Sequence, residues 1–223
     1  MVISHPLAST STNISTNTSI SGLYAITPDL DDSVQLTLQV GAALRGGVRL
    51  LQYRNKVANP ALKIEQATDL LALCHHYNAL LIINDDIDLC QKINADGVHL
   101  GVSDGEISAA RKLLGSHKII GASCYNQLDL AKTAQLAGAS YVAFGACFVS
   151  STKPAAIHAP LSLLTLAQQV LTLPIVAIGG ITLNNAQSVI DAGADAIAVI
   201  NDLFGAADIT NSAQQYTQLF YNA

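Results

Sequence analysis

Leu81-Ile82-Ile83-Asn84-Asp85-Asp86, followed by Asp96-Gly97-Val98-His99-Leu100-Gly101-Val102-Ser103-Asp104, is the stretch that decides the fold. Each half is a short apolar run that stops abruptly in polar and acidic residues. A strand covered by helices on both faces must be apolar along its length, so both runs read as buried parallel strands. Acidic residues just past the C-terminal end of such strands lie on a rim, which is where parallel α/β folds gather their chemistry. As adjacent strands, the two would place Asp85 and Asp104 on one edge, where they could share a hard cation such as Mg2+ with a phosphorylated ligand. Helix capping is the competing account, because Asp86 and Asp104 each precede a helical pattern.

Outward from this stretch the same alternation repeats. Leu23 to Thr27 reads as the first strand, and a helix from about Asp32 follows, closed by Gly46-Gly47. Val48 to Arg54 is the second strand; Asn59-Pro60 then opens a helix with a capping side chain and a proline at its first position. Ile87 to Ile93 is a short helix between the third and fourth strands, and Glu106 to Leu114 is the next helix. Lys118 to Ser123 is the fifth strand, Gln127 to Ala137 a helix and Tyr141 to Gly145 the sixth strand, which runs into a long loop. Leu161 to Leu171 is helical, Ile175 to Ile178 is the seventh strand, Asn184 to Ala192 is helical, and Ala196 to Ile200 is the eighth strand before a final helix. Eight strand-then-helix units with right-handed crossovers make a single closed (β/α)8 barrel over residues 22–223 the simplest architecture. A doubly wound open sheet is the alternative. The unbroken series of repeats and the lack of a GxGxxG after the first strand favour the barrel.

The 223 residues suit one barrel of this kind, and 50% hydrophobic against 12% charged residues implies a large core. A net charge of −5, with eleven Lys and Arg scattered along the chain, argues against a nucleic-acid-binding surface. No apolar run is long enough to span a bilayer. Cys74, Cys90, Cys124 and Cys147 are widely spaced in apolar surroundings, without metal-ligand spacing, and read as buried thiols of a cytoplasmic protein. Ala8 to Ser21, rich in Ser, Thr and Asn, has neither the basic nor the apolar segment of a secretion signal, so residues 1–21 are expected to be a disordered extension.

The strand ends collect Gln52, Arg54 and Lys56; Asn84 and Asp85; Asp104; Ser123; Ser150, Thr152 and Lys153; Gly179 and Gly180; and Asn201. These are phosphate- and magnesium-binding types. Glycines after the seventh strand let backbone N–H groups approach an anion, and the turn after the eighth opens a helix whose N-terminus favours negative charge. A solvated loop at Arg54 and Lys56, and a tight turn at Gly179-Gly180, are the plainer accounts of each taken singly. Arg54, Lys56 and Lys153 with Asp85 and Asp104 bring three cations to two carboxylates, a balance that a diphosphate held through Mg2+ would complete. His99 and Cys124 read as packed residues rather than as base and nucleophile.

With these motifs in order, the chain from Gly22 to Leu203 resembles thiamine phosphate synthases. The carriers are Gln52-Tyr53-Arg54-Asn55-Lys56, Ile83-Asn84-Asp85, Asp96 to Gly101 with Asp104, Gly121-Ala122-Ser123, Ser150-Ser151-Thr152-Lys153 and Ala177-Ile178-Gly179-Gly180-Ile181. The resemblance implies the joining of 4-amino-2-methyl-5-(diphosphooxymethyl)pyrimidine to 4-methyl-5-(2-phosphoethyl)thiazole, giving thiamine phosphate and diphosphate. It assigns the pyrimidine diphosphate to Gln52, Tyr53, Arg54, Asn55, Lys56, Asn84, Ser123 and Lys153, and Mg2+ to Asp85 and Asp104. The thiazole phosphate falls to Ser150, Ser151, Thr152, Gly180, Ile200 and Asn201. Arg54, Lys56, Lys153 and Ser123 form the implied catalytic set. The chain departs from the family pattern at Ala146, usually proline; Val102, usually glutamine; Ser150, usually threonine; and Asn201, usually serine. None of these removes a charge needed by the leaving group; they bear on the thiazole end. A related thiazole tautomerase shares the barrel but releases no diphosphate, and the presence of Asn84-Asp85, Asp104 and Lys153 argues against it. A non-catalytic ligand-binding barrel is the other alternative, and no truncated element points to it. Small-molecule substrates are the expected partners, with nucleic acid and membrane excluded and self-association left open.

Overall fold

The computed structural model describes residues 20–149 and 157–221. Its centre is a closed barrel of eight parallel strands hydrogen-bonded in chain order, the last pairing with the first. The strands are β1 (Gly22–Ile26), β2 (Leu50–Tyr53), β3 (Leu80–Asn84), β4 (Gly97–Leu100), β5 (Ile119–Tyr125), β6 (Tyr141–Phe144), β7 (Ile175–Ile178) and β8 (Ala196–Val199). Around them stand α1 (Ser33–Arg45), α2 (Pro60–His76), α3 (Ile87–Ile93), α4 (Ile107–Leu114), α5 (Leu128–Leu136), α6 (Leu161–Val170) and α7 (Ala186–Asp191), then a single turn α8 (Asn201–Phe204) and α9 (Ile209–Leu219). The (β/α)8 barrel is therefore the observed architecture.

The helix starts follow local chemistry. Asp32 and Asn59 accept hydrogen bonds from the backbone N–H groups of Gln35 and Leu62 at the starts of α1 and α2, satisfying donors that the first turn leaves unpaired. Asp86 caps α3 in the same way, accepting from Leu89 N at 2.8 Å. Asp104 does not cap α4; Glu106 occupies that position, without a side-chain cap bond.

Strand residues alternate between two cores, as the period of the pleat demands. One parity faces the helices and joins the large outer core, with Leu23, Ala25, Leu51, Leu81, Ile83 and Val98 among its members. The other parity fills the barrel, with Tyr24, Ile26, Leu50, Ile82, Tyr141, Ala143, Val176 and Ala198. Ile20 belongs to that inner cluster and is buried, so packing reaches at least two residues before the expected boundary at Gly22. An apolar side chain next to the first strand is better placed in the barrel floor than in water. The rest of the expected extension lies outside the described residues. A second difference is β5, which runs past Ser123 to Tyr125 because the register against β6 shifts between those residues.

Candidate active site

At the C-terminal ends of the strands lies a cavity of about 850 Å³, lined by Gln52, Arg54, Lys56, Asn84, Asp85, His99, Asp104, Ser123, Gly180, Ile200 and Asn201, among others. The chain register accounts for the convergence: Asn84 pairs with His99, His99 with Gly121 and Gly121 with Tyr141, and Ser123 pairs with Ala143 one row further on, so two successive tiers of inward side chains open into one mouth.

The β2 end supplies cations on a braced loop. The Arg54 Nη1 donates to both carboxylate oxygens of Asp29, at 3.1 and 3.0 Å. The same carboxylate accepts from Lys56 N at 2.7 Å, so Asp29 fixes both cationic residues although the sequence reading did not single it out. Its place just beyond β1, on the same rim, was the available signal. Thr27 adds a two-way clasp, donating to Arg54 O and accepting from Arg54 N, both at 2.8 Å.

Tyr53 and Asn55 face elsewhere. Tyr53 belongs to the outer core and donates to Gln66 Oε1 on α2 at 2.9 Å. Asn55 is buried; its amide donates to Leu30 O and Gln66 Oε1, and its oxygen accepts from Val57 N and Ala58 N. Both therefore brace the loop, and neither lines the main cavity, although both border a smaller adjoining pocket with Lys56, Asp85 and Asp104. Strand parity explains it: Gln52 and Tyr53 point to opposite faces of β2.

At the acidic corner, Asp85 sits in left-handed backbone geometry with φ 64°, uncommon for a residue with a side chain. Its carboxyl is pushed above the usual range, first by burial and then by the facing carboxyl of Asp104; Lys56 and Asn84 partly offset this. The Lys56 Nζ stands 3.8 Å from Asp85 Oδ2. Asp104 closes its own turn, accepting from Gly101 N at 2.8 Å. Among the described residues no group of three or more His, Cys, Asp or Glu gathers at metal-binding spacing. Two facing carboxylates, one raised by the other, nonetheless fit Mg2+, which binds through one or two carboxylates and completes its shell with waters and substrate phosphates.

The floor of the cavity holds a run of hydrogen bonds. Gln52 Nε2 donates to Tyr24 OH at 2.9 Å, and Tyr24 OH meets Tyr141 OH at 2.8 Å. Tyr141 OH lies 2.9 Å from His99 Nδ1, whose Nε2 lies 2.9 Å from Ser123 Oγ. Burial pushes His99 down to about 4, so the ring is neutral near pH 7, and drives both tyrosines well above their ordinary values. The packed reading of His99 holds, but it also touches a candidate ligand-binding serine.

On the far side, Gly179 and Gly180 have φ of 101° and 64°, which only glycine adopts freely. A Cβ on Gly180 would come within 2.6 Å of Val149 O and 2.8 Å of Phe148 Cβ. The loop after β6 is zipped onto this turn through Cys147 N to Ile178 O and Phe148 N to Gly179 O, both 3.0 Å. Ile200 and Asn201 lead into α8 beside it. Asp202, on that same turn, accepts from Tyr216 OH at 2.6 Å. Ser150, Ser151, Thr152 and Lys153 lie outside the described residues.

The model of the thiamine monophosphate synthase family matches residues 23–203, nearly the whole barrel. The chain belongs to this family. Among relatives, the thiamine-phosphate synthase of Methylobacillus flagellatus is 57% identical over 201 residues, covering 90% of this chain and 96% of the relative. That of Azoarcus sp. is 52% identical over 201 residues, covering 90% and 98%. Among solved structures, a thiamine phosphate pyrophosphorylase from Pyrococcus furiosus superposes with a TM-score of 0.81 at 33% identity, covering 90% of this chain and 96% of that one. Within the thiamine monophosphate synthase family frame, the cationic loop, the acidic pair and the double-glycine turn described above all lie inside the matched span.

Proposed function

We propose that this chain is a thiamine-phosphate synthase that joins the pyrimidine diphosphate and the thiazole phosphate named above, with release of diphosphate. The activity class, a transferase of thiamine biosynthesis, is that of its family and of relatives at 50–57% identity along nearly their full length. The observation that carries the reading is the convergence of Arg54, Lys56, Asp85 and Asp104 on one mouth of the barrel.

Arg54 and Lys56 face the region where a diphosphate would gain charge as its bond to the pyrimidine methylene breaks. Fixed cations there stabilise that charge without reorganising as it develops. A Mg2+ ion held by Asp85 and Asp104 would supply further positive charge to the leaving group. Lys153 is assigned to the same end from its motif. Gln52 and Asn84 suit the polar edge of an aminopyrimidine, and Ser123 suits an oxygen or nitrogen acceptor. The aminopyrimidine supports a methylene cation once diphosphate departs, and the thiazole nitrogen captures it, so no protein nucleophile is needed. The buried outer-core thiols of Cys124 and Cys147 agree with that, since neither lines the cavity and burial raises them to about 12 and about 11. The turn at Gly180, Ile200 and Asn201, with Ser150 to Thr152, is the proposed seat of the thiazole phosphate. A cytoplasmic setting is supported by four buried cysteines, all without disulfide partners. No helix among the described residues is long and apolar enough to cross a membrane.

The test is thiamine phosphate formation from both substrates, with Lys56→Ala and Arg54→Ala as paired variants. Large losses in kcat support leaving-group stabilisation by this loop. Full activity in both variants would remove the loop from the mechanism.

A further inference from the structure

Five side chains cross the floor of the cavity in an unbroken run, and their protons can be counted. Burial keeps both tyrosines protonated, so each has one proton to give. Tyr24 oxygen accepts from Gln52 Nε2, which commits the Tyr24 proton to Tyr141. Tyr141, having accepted, commits its own proton to His99 Nδ1. A neutral imidazole with a bare Nδ1 carries its proton on Nε2, which then donates to Ser123 Oγ. The Ser123 hydroxyl proton is left over, and Ser123 lines the cavity.

The rings are locked in place. Tyr24 meets Tyr141 edge-on with centroids 5.9 Å apart, and His99 stacks on Tyr141 at 5.6 Å and 22°. Gly121 leaves the space for both: a Cβ there would lie 2.6 Å from His99 Nδ1 and collide with the Tyr141 ring. The whole run would reverse if Gln52 presented its carbonyl to Tyr24, and Ser123 could then only accept. The Gln52 nitrogen faces Tyr24, which sets the polarity described here, and an anionic ligand, which accepts and never donates, suits it.

We propose that Tyr24, Tyr141 and His99 are positioning residues: their relay from Gln52 fixes the Nε2-protonated tautomer of His99 and thereby aims the Ser123 hydroxyl as a donor at an acceptor atom of the bound pyrimidine diphosphate. The ligand's identity rests on the proposed synthase reading; the tautomer rests on the Gln52 amide nitrogen facing Tyr24. The relay ties the two ends of the pyrimidine site together, so a change at Tyr141 is felt at Ser123 without Tyr141 touching the ligand.

The experiment is long-range 1H–15N correlation NMR of the full chain labelled with 15N-histidine, with the His99 signals assigned by their loss in His99→Gln. The expected spectrum shows His99 Nδ1 unprotonated and Nε2 protonated. The opposite tautomer overturns the proposal, and this wild-type measurement needs no variant to fold. Tyr141→Phe keeps the ring but removes the donor to Nδ1. It is expected to shift the His99 nitrogens toward a tautomer mixture and to raise KM for the pyrimidine diphosphate about ten-fold, the size of one lost hydrogen bond, with the thiazole phosphate KM unchanged. Unchanged His99 shifts, or equal effects on both KM values, would show Tyr141 to be packing only. A wild-type chain that shows the expected tautomer but makes no thiamine phosphate would sink the synthase reading and leave the relay standing.

Discussion

Replacing His99 with Gln should flatten the acid sensitivity of the fold by a predictable amount. His99 is buried in the cavity floor and held down to about 4 by that burial, with the negative charge of Asp104 offsetting it only in part. Unfolded, the same ring titrates near its ordinary value of about 6.5. Between those two values the unfolded chain binds the extra proton, so stability falls as pH falls through the window from about 6.5 to 4. At pH 7 the cost is only about 0.2 kcal/mol. At pH 5 the unfolded ring is almost wholly protonated while the folded ring is not, and the difference reaches about 2 kcal/mol. Other titrating groups, including the raised carboxyl of Asp85, act in both proteins, so the comparison of slopes isolates His99. Urea unfolding of wild type and His99→Gln at pH 7 and pH 5 gives the measurement. The wild type should lose about 2 kcal/mol more than the variant between the two pH values, whatever their stabilities at pH 7. Parallel losses would show that the ring ionises in the folded barrel, and the neutral relay would fall with that result.

Two further substitutions probe the rim. Asp104→Asn should cut turnover by at least about 100-fold, given that even partners behind a metal ligand are worth up to that much. It should leave the ligand-free chain as heat-stable as wild type or more so, because Asp85 loses the carboxyl that raises it; thermal melts with and without Mg2+ check both halves. Gly180→Ala should destabilise by at least about 1–2 kcal/mol from its left-handed backbone alone, with a further cost from the contact on Val149 O, and should raise the thiazole phosphate KM more than the pyrimidine one.

The barrel was legible because strands buried on both sides are apolar throughout, and runs such as Leu81-Ile82-Ile83 and Val142-Ala143-Phe144 have no alternative burial pattern. The rim was legible because those runs end abruptly in charge. What escaped depended on direction or distance. Tyr53 and Asn55 sit within the same motif as Gln52 and Arg54, and only pleat parity, which a motif does not state, turns them toward α2. The end of β5 was missed because a register shift leaves no compositional mark. Helix capping, the competing account of Asp104, fails because its carboxylate closes the turn from Gly101 instead. Asp29 contacts a residue 25 positions away, and Tyr24 one 117 away, and such pairings are set by barrel closure rather than by any local pattern.

The most direct test is to incubate the purified chain with both substrates, with and without Mg2+, and to assay thiamine phosphate and diphosphate together. Equimolar formation of the two, dependent on Mg2+ and sharply reduced in Asp85→Asn and Asp104→Asn, is the predicted result. Turnover unaffected by chelation and by either substitution would contradict the account of this rim, and no product under any condition would contradict the synthase assignment itself.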